Sequence, residues 1–167
     1  MKTKPFILVL FIFFLSCSKD NNPNVVLNGA LTNCPANSTC TYNYYESADF
    51  TGPNRLVPGS YRVFAYNSTN QNLCDATIQL YFKTSLSNNN FDISSTQIAT
   101  GHVMAYNFIC ACCDYISYPK SIGGEIKGKK IDSNRWLINA SIILGSSANN
   151  PVDTIVVNQY YTLEKLP

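Results

Sequence analysis

Three thiols fall within residues 110–113, in the stretch "CACCDY" with Cys110, Cys112 and Cys113. Thiols so close together serve one of three chemistries: soft metal ligation, thiol–disulfide exchange, or covalent cross-linking. Zinc calls for paired CxxC units or cysteines joined by histidines. Cys110 and Cys113 make a single CxxC, and His102 is the sole histidine. A copper(I) thiolate cluster is the remaining metal option, because soft ligands suit that ion. A redox centre would need CxxC to open a helix in a βαβ setting, whereas strand-like patterns flank this one. Cross-linking is the favoured expectation, with no metal and no cofactor.

The compartment decides between these chemistries, and the amino terminus bears on it. The chain opens "MKTKPFILVLFIFFLSCSKDNNPN", with Lys2 and Lys4 ahead of an unbroken apolar run at residues 6–15. As a helix that run is about 15 Å long, half the hydrocarbon thickness of a bilayer. It therefore reads as the core of a secretory signal and not as a membrane span. The "FLSC" that follows resembles the lipobox of bacterial lipoproteins, with Phe14 where Leu is commonest. The resemblance implies removal of residues 1–16 and acylation of Cys17 with chains such as palmitate. Residues 17–24 then form the lipidated cysteine and a polar tether, and residues 25–167 a single β domain. Lys19 and Asp20 resemble in part the cluster that sends lipoproteins of some Gram-negative bacteria to the outer face of the outer membrane. The expected location is the cell envelope, on its periplasmic or surface side, with the membrane engaged through the lipid.

An oxidising compartment favours disulfides among Cys34, Cys40, Cys74, Cys110, Cys112 and Cys113, whose number is even. Residues 110–113 cannot satisfy three thiols internally, so at least one reaches an earlier cysteine. Bonds from this cluster to Cys74 and to the amino-terminal pair are favoured, with a local Cys34–Cys40 loop as the competitor. A Cys74–Cys113 bond would close about 38 residues and contribute roughly 4 kcal/mol by loop entropy.

Charge excludes one class of partner. The chain has 12 basic and 10 acidic residues, and setting aside Lys2 and Lys4 equalises them. A neutral domain lacks the electrostatic footprint of a nucleic-acid binder. Lys127, Lys129, Lys130 and Arg135 do cluster, but across an apparent hairpin, where a solvated strand edge is the expectation.

The elements that must position these groups read as strands. Cys74, Ala76, Ile78, Leu80 and Phe82 alternate onto one face, as do Trp136, Ile138, Ala140, Ile142 and Leu144. Ile155, Val157, Gln159, Tyr161 and Leu163 make a third such face. "YRVFAYN" is apolar on both faces. "QIATGHVMAYNFIC" alternates partly, with Gly101 as a bulge or twist point. Breakers such as "VPGS", "SNNN" and "SSANNP" separate the runs. About seven to nine strands without helices predict an all-β fold, a single antiparallel sandwich or small barrel stapled by disulfides. The pattern is similar in architecture to the lipocalin-like barrels, although their early Gly-x-Trp is absent and the only Trp is Trp136. That resemblance carries over no site residue.

Catalytic signals are sparse. No GxSxG elbow occurs, and His102 falls at a strand-like position. Glu46 and Asp49, or Glu125, are the carboxylates a polymer hydrolase would draw on. "GGEIKGKK" lacks Walker spacing and leads into a strand. Tyrosines are the other hint: Tyr42, Tyr44 and Tyr45, then Tyr160 and Tyr161. Adjacent tyrosines on a strand point to opposite faces, so one of each pair should face outward, where it can stack on a glycan or anchor a protein partner. The expected role is non-enzymatic binding of a ligand or partner, or a structural role in the envelope. The alternatives are a hydrolase acting on envelope or extracellular polymers and a lipocalin-like carrier of an apolar ligand.

Overall fold

Alternation of apolar and polar residues dictates most of the fold, because each strand has one face to bury. A computed structural model gives residues 25, 27, 29–52, 55–108 (side chains of 105–108 excepted), 119–146 and 148–167. The strands are β1 (Ser38–Gly52), β2 (Arg55–Pro58), β3 (Tyr61–Asn70), β4 (Ala76–Ser85), β5 (Asn90–Ile93), β6 (Val103–Phe108), β7 (Lys120–Lys130), β8 (Arg135–Gly145) and β9 (Pro151–Leu163). They form one sheet in the order β5-β7-β8-β9-β1-β3-β4-β6, with β2 beside β1. The fold is all-β, and the sheet is curled into a half-barrel.

Two antiparallel halves meet at a short parallel seam, where β1 and β9 pair only at Asn43↔Thr162 and Tyr44↔Leu163. Farther along β9 the amino-terminal segment takes over from β1. The Thr32 N–H donates to Asn158 O at 2.9 Å, and the Asn158 N–H donates back to Thr32 Oγ1 at 2.9 Å. Asn158 Nδ2 also donates to Ala30 O at 2.9 Å. The Cys34–Cys40 disulfide ties this segment to the start of β1.

Curling follows from the core. Phe82 on β4 and Phe91 on β5 lie near opposite ends of the strand order, yet their rings are 6.3 Å apart. Phe64 on β3 meets Trp136 on β8 edge-on at 5.5 Å and stacks on Phe82 at 4.9 Å. Tyr44, Tyr161, Leu80, Ile138 and Ile142 complete a fully buried interior. Most residues of the three predicted apolar faces point into it, but Cys74 precedes β4 and is exposed, and Leu163 is 37% exposed at the end of β9. Side chains fill the interior, as in small barrels.

"YRVFAYN" has two apolar faces because both are covered. Phe64 and Tyr66 point inward, while Val63 and Ala65 join Ala48, Phe50 and Tyr81 in a second cluster outside. Leu56 of β2 and Leu166 near the carboxyl end pack against that cluster.

Two expectations are corrected. Residues 97–102, the start of the stretch read as strand, are helical instead: Ser95–Gln97 continues as a wider turn over Ile98–His102. The Ser94 N–H donates to Gln97 Oε1 at 3.0 Å, which caps the first turn. Gly101 ends the helix at φ 97°, a left-handed value that favours glycine, and Ile98 anchors it in the core. The lysines of β7 are likewise not on an edge, since β5 pairs along β7 at Asp92↔Lys127 and Asn90↔Lys129. Gly128 explains how β5 comes so close: a Cβ there would lie 2.2 Å from the Phe91 ring.

Candidate functional site

The carboxylates come first, since a hydrolase would depend on them. A bulge in β1 between Tyr45 and Ala48, with Ser47 at φ 54°, turns Glu46 toward Arg62 of β3. Arg62 is only 3% exposed, so its charge must be matched inside the fold. Its Nε donates to Glu46 Oε1 at 2.8 Å, Nη1 to Asn88 O at 3.0 Å and Nη2 to Leu86 O at 3.0 Å. The guanidinium carbon stands 4.4 Å from the centre of the Trp136 ring. Arg62 thus plugs one end of the curled sheet. Glu46 also borders a shallow cleft of about 610 Å³ with Asn134, Glu164 and Lys165. Two carboxylates share that cleft, but one of them is committed to a buried cation.

Asp49 accepts from Lys83 Nζ at 2.9 Å and from the Phe50 N–H at 2.8 Å. Burial pushes its carboxyl up, but those two hydrogen bonds and the Lys83 charge outweigh it and hold the group below the usual carboxylate range. Lys83 also sits 4.6 Å from the Tyr61 ring centre and 5.0 Å from that of Phe50. Glu125 pairs with Lys127 at 2.7 Å, and this hydrogen bond raises the lysine's affinity for its proton. Glu46, Asp49 and Glu125 are therefore each held by a different cation.

His102 closes the helical segment and is exposed. It borders a cleft of about 250 Å³ shared with Tyr61, Lys83, Thr84, Asp92 and Gln97. Ser85 also lines this cleft, so a histidine, a serine and an aspartate are near one another. Among the described residues no hydrogen bond joins His102 to either, and the oriented pairing of a nucleophilic triad is missing. Thr84 is 7% exposed, and its buried Oγ1 has no hydrogen-bond partner among the described residues.

The tyrosines divide as strand geometry requires. Tyr44 and Tyr161 point into the core and are fully buried, whereas Tyr160 is 38% exposed and Tyr45 half-buried. Tyr44 and Tyr161 are accordingly core residues, not surface ones. Tyr42 stacks on Tyr66 at 5.3 Å and meets Tyr161 edge-on at 5.6 Å. Burial, then repulsion from Tyr42 and Tyr66, pushes the Tyr161 hydroxyl well above its ordinary pKa. Arg135 lies 5.6 Å from the Tyr160 ring centre, so the outward face of that tyrosine carries a cation beside it.

Of the cysteines, Cys34 and Cys40 are bonded to each other. Tyr66 OH donates to Cys40 Sγ at 3.9 Å, since a disulfide sulfur has no proton of its own. Cys74 is also disulfide-bonded. Cys17, Cys110, Cys112 and Cys113, the expected lipidation site and the expected cross-linking cluster, lie outside the described residues. Among the described residues no group of three or more His, Cys, Asp or Glu side chains could hold a metal ion. Nor is any described helix long and apolar enough to cross a membrane.

Sequence reasoning missed Arg62, Thr84 and Gln97. Arg62 had a signal, as the lone charge inside the apolar run "YRVFAY". Gln97 had another, as the fourth residue of the capping-box pattern "SSTQ". Thr84 had none, because only the curl of the sheet brings it beside β5. The chain matches no protein-family model, no curated protein and no solved structure at a significant level.

Proposed function

We propose that this chain is a lipid-anchored protein of the cell envelope whose β domain binds a ligand or partner without catalysing a reaction. Cys17 carries the anchor, and two or more acyl chains would hold it stably where one would be marginal. On the sequence pattern, the membrane it engages is the outer membrane of a Gram-negative bacterium. Of the two antiparallel architectures, the scaffold is read as a small open barrel and not as a sandwich, since one continuous strand order runs from β5 to β6.

The observation that carries the binding role is the separate pairing of the acidic side chains. Glu46 with Arg62, Asp49 with Lys83 and Glu125 with Lys127 are contacts of 2.7–2.9 Å. A glycosidase needs two carboxyls set across one bond, one of them free to hold a proton. A carboxylate fixed on a cation is poorly suited to that. A carrier of apolar ligands is disfavoured by the packed rings of Tyr44, Phe64, Phe82, Trp136 and Tyr161. Tyr45 and Tyr160 keep accessible ring surface for a glycan or protein partner.

The test compares turnover with binding. Full-length protein is incubated with envelope and extracellular polysaccharides and peptides, and both retained polymer and released ends are measured. Retention without release is expected. Release that disappears in a folded Glu46→Gln or Glu125→Gln variant would instead establish the hydrolase.

A further inference from the structure

We infer that the cleft between β4 and β5 is a binding site for one neutral sugar unit of a larger saccharide. This rests on the binding role proposed above and gives it a place and a ligand class. The cleft is the unclosed part of the curled sheet. β6 pairs with β4 only as far as Val103↔Phe82, so the edge of residues 83–85 has no strand partner among the described residues. β5 pairs with β7 from Asn90↔Lys129 to Ile93↔Ile126, and among the described residues its other edge is unpaired. Residues from both strand edges line the space, and Gln97 and His102 of the helical segment border it.

Its chemistry selects a polyhydroxylated, uncharged ligand. Thr84 is more than nine-tenths buried, with an Oγ1 that finds no partner among the described residues, although a hydroxyl can donate one hydrogen bond and accept two. Around it the wall mixes donors and acceptors: the Lys83 ammonium, the Gln97 amide and the Asp92 carboxylate. Gln97 Oε1 accepts from the Ser94 N–H and Oγ, and Gln97 lines the cleft with an NH2 group that can serve as a donor. A phosphate would meet the Asp92 charge, and a divalent cation would meet Lys83. A sugar presents hydroxyls that answer both kinds of group. Tyr61, 38% exposed at the same cleft and with Lys83 over one face of its ring, offers the rest of its apolar ring surface to a pyranose. The volume of about 250 Å³ lies below the range of drug-sized pockets, roughly 300–1,000 Å³, and suits one ring with its neighbours extending into solvent. An extended peptide fits less well, because it would call for apolar side-chain pockets along a longer edge.

The experiment is isothermal titration of the full chain, held in a zwitterionic detergent free of sugar, with cello-, xylo-, malto-, manno- and chitohexaose. At least one is expected to bind with a Kd of roughly 0.01–1 mM. Thr84→Val, which keeps the shape of the side chain, and Asp92→Ala, at an exposed position, should each weaken that binding about 3- to 10-fold. Unchanged circular dichroism would show that both variants fold. The inference is overturned if no saccharide titrates, if both variants bind as well as the parent, or if inorganic phosphate or an extended hexapeptide takes the cleft instead. A protein partner cross-linked through Tyr160, with no saccharide binding, would overturn it and leave the binding role standing.

Discussion

A guanidinium buried in a β sheet must be matched group by group, and Arg62 is matched by one carboxylate, two carbonyls and an indole face. Glu46→Ala removes the counter-charge on Arg62 seen among the described residues, yet the Glu46 side chain is itself 37% exposed, so water offsets part of the loss. The expected destabilisation is about 1–3 kcal/mol, below that for a fully buried pair. Arg62→Lys should cost at least as much, because an ammonium cannot reach all three acceptors or stack on Trp136. Urea denaturation with an unchanged m-value checks both. Asp49 supplies a pH test. Its folded-state pKa lies below the ordinary 3.8, so its contribution is present above that value and is lost as pH falls through the lower folded one. Asp49→Asn should flatten the stability profile below about pH 4 and leave its shape near neutrality alone. The effect is expected to be under about 1 kcal/mol, since the pair is partly solvated.

At the scale of elements, the amino-terminal segment is tied down by the Cys34–Cys40 disulfide and its hydrogen bonds to β9, and β5 pairs among the described residues with β7. Replacing Cys34 and Cys40 by serine opens the loop of sequence separation 6, worth about 2 kcal/mol by chain entropy. Hydrogen exchange should then report lost protection at the Asn158 amide, which bonds to Thr32. Gly128→Ala would force a Cβ into Phe91 and should cost about 1–3 kcal/mol, loosening β5 first. How far such elements were legible depends on their burial. β8 was readable because Trp136, Ile138, Ala140, Ile142 and Leu144 all face one core. Residues 97–102 read as strand because Ile98 and Val103 supply apolar residues without a helical stripe long enough to register. The Ser94–Gln97 cap was the overlooked cue. Of the candidate site, the carboxylates were visible as residues, but their cations were not, since Arg62 and Lys83 lie 16 and 34 positions from their partners. The outward tyrosine of each adjacent pair followed from strand geometry; which member it was required the register.

For the whole molecule, the curl of one sheet does the work that two facing sheets would do in a sandwich, and it leaves a seam where β4 and β5 do not pair. A packed interior makes the outer surfaces and that seam the places where another molecule can engage. Non-reducing peptide mapping should find Cys74 cross-linked to a peptide containing residues 110–113; a free Cys74, or stoichiometric copper or zinc on the protein, would revive metal ligation by that cluster. Cys17→Ala is expected to shift the protein from the membrane to the soluble fraction and to abolish incorporation of labelled palmitate. The most direct test of the binding role is thermal denaturation of the full chain against glycans, lipids, metal ions and peptides. A ligand that binds only the folded state at about 100 times its Kd adds about 2.7 kcal/mol and raises Tm by several degrees. The account predicts such a rise with at least one glycan or peptide, and no product formed from it. Turnover of any tested polymer, abolished by a single Glu or Asp substitution in a folded variant, would contradict it.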